Sequence, residues 1–262
     1  MEQSTAIFYE RMVADGPTQM AVDQALLARC AADGRSRFRF YRWSPATLSL
    51  GYFQDYQQAL RQFAELADMP VVRRVTGGGA IIHDQEITYC LIVPAEHHLY
   101  QAGAAQAYCR FHQAVIEVVR DYGVNLDFGQ GSAAGQSQAH GPVFCFARDY
   151  PTDLRCDRGK VVGSAQRRLN RAMLQHGSIF MENRFPQQPA VGLCDLAGRS
   201  LDWDQFESRL ADRLAQTLNL QWQPRTLDDQ EQRLAQKYRH EVHAHPDWIH
   251  QGRRSTHRPI IE

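Results

Sequence analysis

The chain has 262 residues, 44% of them hydrophobic and 22% charged, proportions that exclude a disordered or fibrous protein. Its 29 basic and 29 acidic side chains cancel, so a nucleic-acid binder that depends on phosphate contacts is disfavoured. No apolar run approaches the ~18 residues of a membrane span and the N-terminus lacks a signal-peptide pattern, so we expect a cytoplasmic protein with no membrane partner.

In chain order, apolar spacing predicts a helix over Met20–Arg29, then strands over Phe38–Trp43 and Thr47–Phe53 separated by Ser44-Pro45. A helix carrying Leu60, Phe63 and Leu66 ends before Pro70. Val71–Val75 and Ala80–Ile82 read as strands around three glycines, and Thr88–Val93 as a buried strand. Tyr108, Phe111, Val115, Val118 and Tyr122 form one apolar stripe, marking a helix over Ala104–Tyr122. Gly129–Pro142 has loop composition. Short strands are expected near Cys145, around Lys160–Ser164 and over Leu174–Phe180. Two helices close the chain, one with Phe206, Leu210 and Leu214 on one face, the other from Leu227 to about Arg239. Strands and helices interleave irregularly, with no repeat or linker. The expected fold is therefore α+β, a mixed β-sheet with packed helices, in a single domain over residues 1–262.

Several motifs fail on inspection. Gly129-x-Gly131-x-x-Ala134 has the spacing of a dinucleotide fingerprint, but a polar, proline-containing stretch follows where a helix N-terminus is needed. Gly159-Lys160 is followed by Val161, which breaks a phosphate-loop pattern. His240, His243, His245 and His250 lack zinc-protease spacing and read as a solvated, polar terminus. The six cysteines contain no Cys-x-x-Cys pair, so neither a zinc site nor a disulfide framework is expected. No metal and no cofactor is assigned.

Three segments spend residues that a plain core would not use. Arg73–Asp84, RRVTGGGAIIHD, places Arg73 and Arg74 beside Thr76 and Gly77-Gly78-Gly79, with His83 beyond. Glycine lets a substrate approach the backbone closely, and arginine offers a planar donor fork. A glycine hairpin with surface arginines would look the same. Lys160–Arg168, KVVGSAQRR, sets Lys160 three residues before a Gly163-Ser164-Ala165 turn. Leu174–Ile179, LQHGSI, breaks a short strand at His176-Gly177-Ser178.

Together and in this order, these segments resemble the catalytic fold shared by lipoate–protein ligases, octanoyltransferases and biotin–protein ligases. RFYRWSPATLSLGYFQ (39–54) resembles its N-terminal strand pair and QMAVDQALL (19–27) its first helix. The similarity runs from about residue 19 to about residue 250. HDQEITY (83–89) and VFCF (143–146) resemble the cysteine-dependent octanoyltransferase branch that charges the glycine cleavage H protein. The resemblance implies an acyl-carrying nucleophile at Cys145, partnered by Lys160. It also implies an acyl-binding surface formed by Arg73, Arg74, Thr76, Gly77, Gly78, Gly79, His83, Gly163, Ser164, Ala165, His176, Gly177 and Ser178. The implied donor is octanoyl-acyl carrier protein. The implied acceptors are lipoyl-domain proteins, namely the glycine cleavage H protein and the lipoyl domains of 2-oxoacid dehydrogenase E2 subunits.

Gly77-Gly78-Gly79-Ala80 is closer to the ligase form of the glycine run, and Cys156, between Cys145 and Lys160, is a rival nucleophile. An ATP-dependent lipoate or octanoate ligase and an amidotransferase between lipoyl domains are the alternatives; the ligases typically carry a C-terminal accessory domain, and none is expected here. From Arg148 to Arg171 seven basic residues face three acidic ones, a basic segment that suits acidic protein partners or a solvated face.

Overall fold

The computed structural model describes residues 4–62, 66, 68–129 and 150–259. The elements follow in order: β1 (Ser4–Ala14), α1 (Gly16–Asp33), β2 (Ser36–Trp43), β3 (Thr47–Leu50), α2 (Tyr56–Gln62), β4 (Val71–Arg73), β5 (Ile81–His83) and β6 (Glu86–Pro94). Next come α3 (His98–Gln101), α4 (Ala104–Arg120), β7 (Asp127–Phe128), β8 (Leu154–Cys156), β9 (Gly159–Arg168) and β10 (Ala172–Phe180). The chain continues through α5 (Leu193–Ala197), α6 (Trp203–Leu218), β11 (Leu220–Arg225), α7 (Asp229–Tyr238), a π-helical turn (Arg239–His243) and α8 (Pro246–Gln251).

Eight strands form one mixed sheet in the order β11-β1-β2-β6-β10-β9-β8-β7, with β1 parallel to both its neighbours. A second sheet, β4-β3-β5, carries the glycine run between β4 and β5. The α+β expectation therefore holds. β6 explains why its sequence reads as an unbroken apolar run. Ile87, Tyr89, Leu91 and Val93 pack on α4 and α6, whereas Cys90 and Ile92 pack on α1, so both faces are buried.

Local chemistry sets the ends of α1. The Asp15 carboxylate accepts the Thr18 amide at 2.9 Å, Pro17 occupies the first turn, and Gly34 closes the helix at φ 69°. These caps extend the helix beyond the Met20–Arg29 span seen in apolar spacing. α4 and α6 use the predicted stripes: Phe111, Val115 and Val118 on one, Phe206, Leu210 and Leu214 on the other, all in one core cluster.

Three expectations need correction. β1, β7, β8 and β11 were not anticipated; β1 shifts register between Tyr9 and Met12, which blurs its alternation, and β11 contains Pro224 on an edge. The Thr47–Phe53 strand stops at Leu50, because the chain turns there to meet the glycine run. The histidine-rich C-terminus is not merely solvated. His243 is fully buried with Nε2 2.7 Å from Gln24 Oε1, and Trp248 of α8 is also fully buried. The loop from Gln130 to Pro142, the strand expected near Cys145, and Phe63 lie outside the described residues.

Candidate active site

A narrow crevice of about 30 Å³ lies where the small sheet faces the large one. Ser49, Arg74, Ile81 and His83 line it from the small sheet and the bend after β4. Tyr41, Trp43, Thr88, Gly163–Ala165 and His176–Ser178 line it from the large sheet, and Met20 reaches in from α1. All three segments thus contribute to one cleft, and strand register holds two of them side by side on the large sheet. Antiparallel pairing of β10 with β9 sets His176 opposite Ala165, Gly177 opposite Ser164, and Ser178 opposite Gly163.

Arg74 holds the glycine bend. Its guanidinium donates to the carbonyls of Gly77 (2.8 Å), Gly79 (2.6 Å) and Ser49 (3.1 Å). Gly78 sits at φ 95°, where glycine is favoured. The bend also presses on Gly51, where a Cβ would collide with the Gly78 carbonyl oxygen. Arg73 goes elsewhere. It is fully buried and donates to the carbonyls of Gly51, Gln54 and Ile249, while the Trp248 indole donates to its own carbonyl. Burial, then the charge of Arg74, pulls its pKa down to about 10. The sequence groups Arg73 with substrate binding; the structure places it as a brace between the glycine sheet and α8, off the crevice lining.

Behind the crevice, His176 links three elements. Its Nδ1 donates to Asp23 Oδ2 at 2.9 Å, which leaves Nε2 to accept the Thr76 hydroxyl at 2.7 Å. Burial lowers the His176 pKa despite Asp23, keeping the ring neutral. Burial alone would raise the Asp23 carboxyl. The Arg39 guanidinium, donating through Nε at 2.9 Å, and His176 instead bring it down to about 2. His83 stacks on Trp43 with centroids 3.9 Å apart and planes 5° from parallel, and its Nδ1 lies 2.6 Å from Glu86 Oε1.

The opposite face of β9, toward α4, is polar. Lys160 is buried, with Nζ 2.6 Å from Asp153 Oδ2. Ser164 Oγ lies 2.7 Å from His112 Nε2 and 2.6 Å from the Tyr89 hydroxyl. The Thr152 carbonyl can only accept, so His112 Nδ1 carries the ring hydrogen and donates to it. His112 is fully buried, and burial pushes its pKa down to about 4. The bare Nε2 therefore accepts from Ser164, Tyr89 donates to Ser164, and Gln175 Nε2 donates to Tyr89 at 2.8 Å. Gly177 makes this closeness possible: a Cβ there would meet the Ser164 hydroxyl and the Gly163 carbonyl oxygen.

Of the expected residues, Arg74, His83, Gly163, Ser164, Ala165, His176, Gly177 and Ser178 line the crevice, and Thr76 through Gly79 form the bend beside it. Lys160 lies earlier on β9, and Cys145 falls outside the described residues. Cys156 is half-buried on β8, with Sγ 3.7 Å from the Gly159 carbonyl oxygen, off the crevice lining. Asp23, His112, Asp153, Tyr89, Trp43 and Gly51 were missed. Asp23 had a legible signal, since an acid at i+3 from Met20 sits in the apolar stripe of α1; His112 likewise stands beside Phe111 in α4. Among the described residues no cluster of three or more His, Cys, Asp or Glu is placed to hold a metal, and no helix is long and apolar enough to cross a membrane.

A family model described as the lipoyl protein ligase A/B catalytic domain matches residues 15–187. An octanoyltransferase LipM of Moorella thermoacetica is 36% identical over 172 residues, covering 64% of this chain and 62% of that protein. One from Halalkalibacterium halodurans is 30% identical over 261 residues, covering 89% and 94%. Among solved structures, the putative lipoate protein ligase Ta0514 from T. acidophilum superposes with a TM-score of 0.77 at 16% identity, over 95% of this chain and 99% of that one. A lipoate-protein ligase A bound with ATP gives 0.74 at 16% identity, over 94% and 98%. At such identities these structures attest the fold alone.

Proposed function

The chain belongs to the lipoyl protein ligase A/B catalytic domain family and is an acyltransferase that moves octanoyl groups in lipoate biosynthesis; on that footing we propose that it works through a cysteine thioester. The donor is an octanoyl thioester of acyl carrier protein and the acceptor a lysine of a lipoyl domain. The thiolate of Cys145 attacks the donor carbonyl, the donor's carbon–sulfur bond breaks, and carrier thiol leaves. The acceptor amine then attacks the new thioester. An amide forms, the Cys145 sulfur departs, and the amine's proton balances the released thiolate. Nothing is oxidised and no ATP is needed, because a thioester is already activated. A free thiol persists in a reducing compartment, which fits a cytoplasmic setting.

One observation carries this reading. The segments around the glycine bend, Gly163–Ala165 and His176–Ser178 close on one crevice, and a buried ammonium, Lys160, stands at the start of the strand that floors it. Lowering a thiol pKa by about two units raises its thiolate fraction about tenfold near pH 7.5. The accompanying fall in nucleophilicity gives back about six- to tenfold. Lys160 therefore acts chiefly by stabilising negative charge on the acyl oxygen and on the departing sulfur. Asp153 holds the ammonium in place at 2.6 Å.

The test mixes the purified protein with octanoyl-acyl carrier protein without ATP and records intact mass before and after alkaline hydroxylamine. The expected result is a hydroxylamine-labile octanoyl adduct on the wild type that is absent from Cys145→Ser. An adduct retained in Cys145→Ser and lost in Cys156→Ser would move the nucleophile to Cys156. Modification of lipoyl domains only with ATP and free acid would replace the transferase reading with a ligase.

A further inference from the structure

Three hydrogen bonds run from β9 out to α4 and back to β9. Ser164 Oγ donates to His112 Nε2 at 2.7 Å, and His112 Nδ1 donates to the Thr152 carbonyl. The next residue, Asp153, accepts the Lys160 ammonium at 2.6 Å, which closes the path on β9. Lys160 and Ser164 are four residues apart, so they share one face of the strand at a spacing of about 13 Å. Tyr89 fixes the direction by donating to Ser164 at 2.6 Å, which leaves the Ser164 hydrogen for the ring.

His112 is a costly residue for its place. It is fully buried on α4, whose other buried side chains include Phe111, Val115 and Val118. An apolar side chain would fill that space with no polar group to satisfy, whereas a buried imidazole is tolerated only when hydrogen-bonded. Both ring nitrogens are bonded, and the N–H reaches the turn Tyr150–Asp153. That turn leads into β8, three residues long, whose neighbour β7 has two and ends the sheet. The pairing of β8 with β9 also shifts register between Leu154 and Arg155. Asp153 Oδ2 accepts the Tyr150 amide at 3.0 Å, so the carboxylate that meets Lys160 moves with the turn backbone.

From these features we infer that His112 is a positioning residue for octanoyl transfer, holding the turn that presents Asp153 to the Lys160 ammonium. The inference rests on the reading that this ammonium serves the acyl carbonyl. With the bond to Thr152 cut, the turn loses its tie to α4, the carboxylate shifts, and the ammonium follows it. A displacement of about 1 Å at such a group costs up to about 100-fold in rate. The crevice lining is untouched, so kcat falls while KM holds.

Two variants separate the ring's two bonds. His112→Asn keeps an N–H on the Nδ1 side and gives up the acceptor for Ser164; His112→Gln keeps an acceptor toward Ser164 and gives up the donor to Thr152. Transfer from octanoyl-acyl carrier protein to a lipoyl domain is measured for wild type, both variants, Lys160→Met, and His112→Gln combined with Lys160→Met. His112→Gln is expected to lower kcat about tenfold or more with KM within about twofold, and His112→Asn to stay within about threefold of wild type. Added to Lys160→Met, His112→Gln should cost nothing further, because the group it positions is gone. A second readout needs no activity. Lys160 and Lys237 are the two lysines of the chain, so labelling with an amine reagent, read by peptide mass, compares them within one sample. His112→Gln is expected to raise labelling of buried Lys160 several-fold relative to exposed Lys237, and His112→Asn to leave that ratio unchanged. Equal kcat losses in the two variants, additive losses with Lys160→Met, or an unchanged labelling ratio in His112→Gln overturn the inference. If wild type transfers no octanoyl group, or Lys160→Met transfers as fast as wild type, the proposed function fails at that point and the labelling ratio alone decides whether His112 holds the ammonium. If His112→Gln does not fold, His112→Phe replaces it, and a tenfold kcat loss in folded His112→Asn overturns the inference by itself.

Discussion

The two faces of β9 and β10 put the same two strands to different uses. Toward the small sheet they offer glycine, alanine and hydroxyls already bonded elsewhere, a surface that suits an alkyl chain. Toward α4 they carry Lys160 paired with Asp153 and a one-way chain from Gln175 through Tyr89 and Ser164 to His112. Strand alternation makes this division possible, since successive side chains point to opposite faces. On the proposed reading the crevice grips the alkyl chain and the Lys160 end of β9 serves the acyl carbonyl, so the two should fail differently.

The sharpest break between the faces is Lys160→Met. Loss of a preorganised charge at the reacting oxygen is expected to slow octanoyl transfer by about 100-fold or more, while Cys145 still reacts with alkylating agents. A rate within a few-fold of wild type would show that the polar face does not serve the chemistry.

Next in size is a paired test of the glycines. Gly51→Ala would drive a Cβ into the Gly78 carbonyl oxygen, with an expected stability loss of about 1–3 kcal/mol in denaturant unfolding. Gly77 faces open space, so Gly77→Ala should leave unfolding almost unchanged. If Gly77→Ala slows transfer without altering the unfolding midpoint, that glycine serves substrate approach. Equal stability losses in the two variants would instead make the whole run a folding device.

The smallest effect concerns pH. His112 and His243, both held neutral by burial, have pKa values of about 4 in the fold against about 6.5 when unfolded. Between those values the unfolded chain binds more protons, so stability is full above about pH 6.5 and falls as pH drops toward 4. Asp23, brought down to about 2, adds a further loss below about pH 4. His112→Phe should flatten the slope between pH 6.5 and 4 in urea unfolding, at the cost of removing the donor to the Thr152 carbonyl and the acceptor of the Ser164 hydroxyl hydrogen, while Tyr89 still donates to Ser164. An unchanged slope would show that His112 does not titrate as its burial implies.

The crevice was legible where chemistry departs from core composition within a few residues. The glycine run and the Gly-Ser and His-Gly-Ser segments each stand out locally, and the structure brings all three together. Arg73 and Arg74 show the limit. They are adjacent and identical, yet one holds the glycine bend and the other clamps Trp248 and Ile249, about 175 residues away, a difference no local pattern encodes. Asp23 and His112 were hidden for a related reason: each sits on a buried helix face, and only its long-range partner reveals why a polar group is tolerated there.

By itself the sequence determined the family resemblance, the mixed α+β class, the strongest helices and the three chemistry-bearing segments, because periodicity, turn residues and motif spacing are short-range properties. Only the tertiary structure decided which residues of β10 and β9 stand opposite one another, the stacking of His83 on Trp43 and the direction of the hydrogen bonds through Ser164. Those depend on strand order and register, which arise when side chains from β2, β6, β10 and β9 share one buried sheet.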